Sequence, residues 1–336
     1  MSQSPSTIDF LGPDDFGGIF EDAIRGLRAR GHDVGRFADA SDYLASGRLG
    51  RVDVLVDVDV LQVGAAEMDA APRLRALISP VIGTEEFDHA AATARNILIA
   101  NGQTVENYTS MAEATVMLIL ASLYEFDKAI TYMDDPSSRP GYPRARMLRG
   151  RTVGIIGLGK IGMAVAERLQ PFACDVQAYV RTPRDLGQGI RPVGLDDLLR
   201  TSDVVVVATE LNEHTRGLLG ADKLALMKPN AVFVNIARGA ISNDAALAAL
   251  AKERTGMRLA LDVFDPEPLD PASPLRALPN AILTPHMVGH TCDTFDRMPL
   301  VLLENVLDVL DAKAPRFTLN PAVAPSWSAK WAGDAR

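Results

Sequence analysis

The sequence predicts an α/β protein built from two doubly wound parallel-sheet domains, one inserted into the other. Three observations carry this reading. The chain has 336 residues, room for two domains of ordinary size. From Thr7 to about Ala100, short apolar runs alternate with amphipathic segments, the rhythm of parallel strands joined by crossover helices. From Arg151 to His286 a second series of the same kind follows.

In the first series IDFLG (8–12) reads as a buried strand. FEDAIRGLRARG (20–31) reads as a helix whose basic last turn and Gly31 mark its stop. The runs VDVLVDVDVL, LRALISPVIG and NILIAN supply further strands. A long periodic segment from Val105 to about Tyr132 predicts one helical stretch, ended by the proline-rich loop Asp134–Pro143. The second series offers RTVGIIG, DVQAYV, DVVVVA, AVFVNIA, RLALDVF and NAILTPH as strands, with helical patterns such as DAALAALAKE between them. A last amphipathic stretch, about Thr294 to Ala312, lies beyond this series and is expected to return to the first domain. The tail after Pro315, rich in Pro, Ser, Ala and Trp, carries no clear pattern.

Composition excludes several functions. Hydrophobic residues at 47% and charged ones at 23% are ordinary globular values. With 34 Lys+Arg against 43 Asp+Glu, the formal charge of -9 has the wrong sign for a surface that attracts phosphate backbones, so no nucleic-acid partner is expected. Cys174 and Cys292 are too few for a disulfide framework and lack metal-knuckle spacing, so a reducing compartment and no metal are expected. No basic flank with an apolar core opens the chain, and no run approaches the ~18 apolar residues of a membrane span. The expectation is a soluble, cytoplasmic protein without a membrane partner.

The strongest motif is Gly157-Leu158-Gly159-Lys160-Ile161-Gly162, which follows a buried-strand run and opens a helical pattern. Gly157 permits the tight turn, Gly159 lets backbone approach a pyrophosphate, and Gly162 lets helix pack on strand while the N-terminal amides face the anion. Strand, triplet and helix stand in the order a dinucleotide fingerprint requires. The fingerprint normally continues with an acidic residue for the adenosine ribose, about 20 residues on. Val180 occupies that place, followed by Arg181, Thr182 and, nearby, Arg184. Such a group suits a 2′-phosphate, so NADP is expected over NAD.

Three polar residues then punctuate apolar strand ends: Arg238 in VNIARG, Glu267 in LDVFDPEP and His286 in ILTPH. In an open α/β sheet ligands bind outside the carboxyl ends of strands, so all three are placed to share one crevice.

These segments resemble the D-isomer-specific 2-hydroxyacid dehydrogenases. The resemblance runs from about Asn101 to Thr291 on MAEATVMLIL, RGRTVGIIGLGKIG, SDVVVVA, LMKPNAVFVNIARGAISNDAAL, ALDVFDPEP and TPHMVGHT, and thins over residues 1–100, where IGTEEFD stands in the place of a substrate loop. It implies a substrate domain over residues 1–102, a Rossmann dinucleotide-binding domain over 103–291, and a C-terminal helix and tail over 292–336 that complete the flavodoxin-like substrate domain. The active site would lie in the cleft, with hinges near Asn101 and Thr291. Arg238 would hold a 2-oxo acid, His286 would be the acid/base and Glu267 its carboxylate partner. Asp262 would bond the nicotinamide carboxamide, Ile236 would join the cofactor site, and backbone amides near Ile82 and Gly83 would hold the substrate carboxylate. The segment Val105–Phe126 would contribute to a homodimer interface.

The chemistry accounts for these residue types. Reducing a 2-oxo acid places a hydride on the carbonyl carbon and a proton on its oxygen, and protonated imidazole is a fitting acid. A neighbouring carboxylate favours the charged imidazole. A planar guanidinium can hold the substrate carboxylate and the developing alkoxide together.

The chain also departs from the family. Its substrate loop reads Gly83-Thr84-Glu85-Glu86-Phe87-Asp88 where Gly-x-Asp-Asn-apolar-Asp is common, and Thr209-Glu210-Leu211-Asn212 replaces a proline-containing turn. His290 could tune substrate choice or serve structure. The leading function is reduction of a small 2-oxo acid, such as glyoxylate or hydroxypyruvate, to the D-2-hydroxy acid. The alternatives are a dinucleotide-sensing corepressor on the same scaffold and a formate-dehydrogenase-like enzyme. That branch pairs its histidine with glutamine, whereas this chain has Glu267.

Overall fold

A computed structural model describes residues 5–13, 18–182, 185–187 and 189–332. The chain divides into two compact units, the first running to Glu106 and resuming at Thr291, the second spanning Asn107–His290.

In the first unit β1 (Thr7–Leu11), α1 (Ile19–Arg28), β2 (Asp33–Phe37), α2 (Ala40–Ala45), β3 (Val54–Asp57), α3 (Ala65–Asp69), β4 (Ala76–Ile78), α4 (His89–Ala94) and β5 (Leu98–Ala100) follow in turn. The sheet order β2-β1-β3-β4-β5, parallel throughout, is the flavodoxin-like winding. The inner strands are buried on both faces, which is why they read as continuous apolar runs rather than alternating ones. β2 escaped the sequence reading for the complementary reason: as an edge strand it buries only Val34. Asp39 caps α2 and Asp88 caps α4 by accepting backbone N–H bonds.

The expected single helical stretch from Val105 to Tyr132 is two helices, α5 (Val105–Leu123) and α6 (Phe126–Thr131). They part where Glu125 takes a left-handed backbone at φ 50°. The second unit continues with β6 (Thr152–Ile156), α7 (Lys160–Leu169), β7 (Asp175–Tyr179), β8 (Arg191–Pro192), α8 (Leu195–Thr201), β9 (Val204–Val207), α9 (Ala221–Ala225), β10 (Val232–Asn235), α10 (Asp244–Glu253), β11 (Arg258–Leu261) and β12 (Ala281–Leu283). Its seven strands are parallel in the order β12-β11-β10-β9-β6-β7-β8. The two-residue β8 had no sequence signal. The order reverses between β6 and β9, the switch point at which such sheets bind ligands.

The chain re-enters the first unit with α11 (Cys292–Leu310), whose Met298, Leu302 and Val306 share a core with Ile8, Phe10 and Leu27. The tail is ordered by specific bonds rather than by pattern. Asn320 accepts from Ile99 N–H at 2.9 Å and donates to Ile97 O at 2.9 Å, so its amide pairs with the β5 backbone. In α12 (Ala324–Trp331), Trp327 is fully buried and its indole N–H donates to Arg75 O at 2.8 Å.

Candidate active site

Because every strand of the second sheet is parallel, the residues that follow each strand collect at one end of it. Gly157 follows β6, Val180 follows β7, Arg238 follows β10, Asp262 follows β11 and His286 follows β12. The polar residues singled out in the sequence therefore share an edge with the glycine motif.

At the switch point Gly157 has φ 92°, and a Cβ there would lie 2.6–2.8 Å from Thr209. A Cβ on Gly162 would come within 2.3 Å of Gly157 O, so helix and turn are packed backbone to backbone. Gly159 differs: it is exposed, and a Cβ there would meet no atom of the described residues within 4 Å. The protein itself does not require glycine at this point, but a phosphate drawn up to the α7 N-terminus would, and no side chain caps that helix end. Leu158 is buried beneath the turn, Lys160 is exposed on it and Ile161 is half-buried. Ile236, just beyond β10, lies in the core beside Val234. Arg181 and Thr182 are exposed after the half-buried Val180, and Arg184 lies outside the described residues. The turn at Thr209–Asn212 holds its shape without proline: Asn212 Oδ1 accepts from His214 N–H at 3.0 Å and Thr215 N–H at 3.2 Å.

His286 and Glu267 meet directly, with Nδ1 2.8 Å from Oε2. A carboxylate only accepts, so Nδ1 carries the hydrogen and Nε2 is left for other chemistry. Glu267 Oε1 accepts from Phe264 N–H at 2.8 Å. Burial pushes the Glu267 carboxyl up, but the bonds from His286 and Phe264 and the charges of His286 and Arg238 hold it below its ordinary value. His286 has a left-handed backbone, φ 54°, stabilised by its N–H donating to Asp262 O at 2.7 Å.

Asp262 is 1% exposed and organises the same loop. Its Oδ1 accepts from Thr284 Oγ1 at 2.6 Å, Met287 N–H at 3.0 Å and Val288 N–H at 3.2 Å. These contacts sit 22 to 26 residues apart in sequence, so spacing did not reveal them. Arg238 donates from Nη1 to Ala237 O at 2.9 Å, and its carbonyl accepts from the buried Asn235 Nδ2 at 3.0 Å. Next to it, a Cβ on Gly239 would fall 1.9–2.4 Å from the backbone of Phe264. That close approach brings the Arg238 segment against the one that carries Glu267.

Of two neighbouring titratable groups, His290 was singled out in the sequence and Asp244 was not. Asp244, at the start of α10, accepts from Asp265 N–H at 3.3 Å, and burial with the charges of Asp265 and Glu267 pushes it up to about 6. Burial and the charge of His286 hold His290 below its ordinary value, against the pull of Asp262. Ile82 and Gly83 belong to the first unit, in the loop after β4, where Ile82 O accepts from Asn101 Nδ2 at 2.9 Å. Of the two glutamates in that loop, Glu85 is exposed and Glu86 is buried. Among the described residues no group of three or more His, Cys, Asp and Glu side chains is placed to hold a metal ion, and no helix is long and apolar enough to cross a membrane.

Comparison with known proteins identifies what the chain as a whole resembles. Residues 116–288 match the NAD binding domain of the D-isomer specific 2-hydroxyacid dehydrogenases. A glyoxylate reductase of Aeropyrum pernix is 35% identical over 268 residues, 76% of this chain and 79% of that protein. A glyoxylate/hydroxypyruvate reductase B of Shigella boydii is 32% identical over 270 residues, 78% of this chain and 83% of that one. The crystal structure of an NADPH-dependent glyoxylate/hydroxypyruvate reductase of Sinorhizobium meliloti, in complex with NADP and malonate, has a TM-score of 0.83 at 25% identity and covers 96% of this chain and 98% of its own.

Proposed function

The chain belongs to the D-isomer specific 2-hydroxyacid dehydrogenase family, and from that premise we propose that it reduces a small 2-oxo acid of the glyoxylate or hydroxypyruvate type, with NADPH preferred to NADH. It is a nicotinamide-dependent 2-oxo acid reductase. The observation that carries the finer reading is the His286–Glu267 pair at 2.8 Å, on the same sheet edge as Arg238 and the glycine motif.

When bound, the reduced nicotinamide supplies a hydride to the carbonyl carbon. His286 gives the proton to the carbonyl oxygen from Nε2, and Glu267 fixes the ring through Nδ1. Arg238 offers a planar fork to the substrate carboxylate and carbonyl oxygen, stabilising charge that grows on the oxygen as the hydride arrives. Backbone amides at Ile82 and Gly83 are further groups proposed to bond the substrate carboxylate. The turn from Gly157 to Gly162 would hold the pyrophosphate, Arg181 and Thr182 would hold the 2′-phosphate, and Asp262 and Ile236 would belong to the nicotinamide site.

NADPH preference is supported by Val180, which neither bonds a ribose hydroxyl nor repels a 2′-phosphate, with Arg181 immediately after it. A homodimer is supported by Met117, Phe126 and Ile130 of α5 and α6, each more than half exposed. Two free cysteines, Cys174 and Cys292, fit a cytoplasmic setting. The test is oxidation of NADPH and NADH across a panel of 2-oxo acids. Rapid turnover of small members with NADPH supports the reading, and tight dinucleotide binding without turnover would indicate a sensor instead.

A further inference from the structure

The loop after β4 buries an acid that, among the described residues, forms no ion pair. Glu86 is 5% exposed, and among the described residues its Oε1 has no hydrogen-bond partner. The neighbouring charges that act on it most strongly are those of acids: Asp57 at the end of β3, Asp59 in the turn beyond, and Glu85 beside it. Asp57 is fully buried and already accepts from Val60 N–H at 3.2 Å and Leu61 N–H at 3.0 Å. On α4, His89 is bonded through Nε2 to Thr84 Oγ1 at 2.9 Å.

The backbone keeps Glu86 in this position. Its carbonyl accepts from Val63 N–H at 2.8 Å, Asp88 N–H returns to Val63 O at 3.0 Å, and Phe87 N–H closes a turn on Thr84 O at 3.1 Å. The neighbouring Phe87 is buried in the core with Val63 and Leu77. These bonds fix the backbone on both sides of the Glu86 side chain. Burial first, then the charges of Asp57, Glu85 and Asp59, push it up to about 8, against the bond from its own backbone.

We propose that Glu86 is a neutral carboxylic acid that keeps the substrate loop closed on itself, and that its loss of a proton to solvent is an alkaline switch that weakens 2-oxo acid binding. This rests on the reading that Ile82 and Gly83 hold the substrate carboxylate. Three residues from Gly83, an ionised Glu86 adds negative charge beneath a site for an anion. It also draws the loop apart to hydrate an unpaired carboxylate. Both effects raise KM and leave the hydride step alone.

Glu86→Gln in the full chain decides it, because glutamine stays neutral at every pH; Glu86→Asn serves as a second neutral variant. The first measurement is Tm between pH 5 and 9. A carboxyl whose folded-state value lies above its unfolded one contributes stability that is lost as pH rises through the folded value, here about 8. The wild type should therefore lose about 5 °C relative to Glu86→Gln across that range. The second measurement is KM for glyoxylate. If only the protonated loop binds, the wild-type KM should rise about tenfold relative to the variant one pH unit above the transition.

Parallel Tm profiles would overturn the proposal. Diverging Tm profiles with a constant KM ratio would also overturn it, since Glu86 would then be protonated without acting on the substrate loop. If neither protein turns over any 2-oxo acid, the proposed substrate class fails, and the Tm comparison still tests the proton on Glu86.

Discussion

His286 Nδ1 lies 2.8 Å from Glu267 Oε2, although 19 residues separate the two in sequence. The pair is assembled from both sides. Phe264 N–H holds the other Glu267 oxygen, and the Asp262 carbonyl and carboxylate hold residues 286–288. Residues that follow two adjacent strands, β11 and β12, thus present an oriented imidazole with a defined hydrogen on Nδ1.

On the proposed reading, Arg238 anchors the anionic substrate. Arg238→Lys retains the charge and loses the planar fork, so kcat/KM for 2-oxo acids should fall by about 10² or more with dinucleotide affinity preserved. Steady-state kinetics beside a dinucleotide titration check this, and near-wild-type values would place the anchor elsewhere.

The glycine motif separates folding from binding. Gly162→Ala forces a Cβ to within 2.3 Å of Gly157 O and should lower Tm by several degrees. Gly159→Ala meets no atom of the described residues within 4 Å at an ordinary backbone conformation, so Tm should stay constant while dinucleotide affinity falls about tenfold or more. Unchanged affinity in the second variant would remove the phosphate from that helix end.

Asp244 gives a pH signature. Its folded-state value of about 6 lies above its unfolded one, so its contribution to stability is fully present below about pH 4 and is lost as pH rises through 6. Asp244→Asn keeps an acceptor for Asp265 N–H and removes the charge beside Glu267. Its Tm should exceed that of the wild type at pH 7, and the gain should vanish near pH 4. Equal Tm values at both pH values would contradict the assignment.

Arg181 should set cofactor choice. With Val180 ahead of it, Arg181→Ala should weaken NADPH binding about ten- to a hundredfold and leave NADH nearly unchanged. Equal losses for both dinucleotides would place Arg181 away from the phosphate, and a wild-type preference for NADH would overturn the NADPH assignment.

What could be read in the sequence follows from what is local. Buried parallel strands are contiguous apolar runs, and Gly157, Gly159 and Gly162 lie within six residues, so both sheets and the fingerprint were legible. The edge strand β2 buries one residue and left no run to find. The helix break at Glu125 is a single backbone choice, and no glycine or proline marks it. The tail is held by the side-chain bonds of Asn320 and Trp327 to distant backbone, which no periodicity encodes. At the site, Arg238, Glu267 and His286 were found through motif and resemblance. The roles of Asp262 and Asn235 in ordering the loops, the burial of Glu86 and the half-buried position of Asp244 depend on contacts between segments far apart in the chain.

The most direct measurement is the initial rate of NADPH oxidation with glyoxylate and hydroxypyruvate, for the wild type and for His286→Ala, beside the NADPH dissociation constant of each. The account predicts rapid turnover by the wild type and a kcat lower by about 10²–10⁴ in His286→Ala at nearly constant NADPH affinity. Equal turnover by the two proteins, or none by the wild type with any small 2-oxo acid, would contradict it.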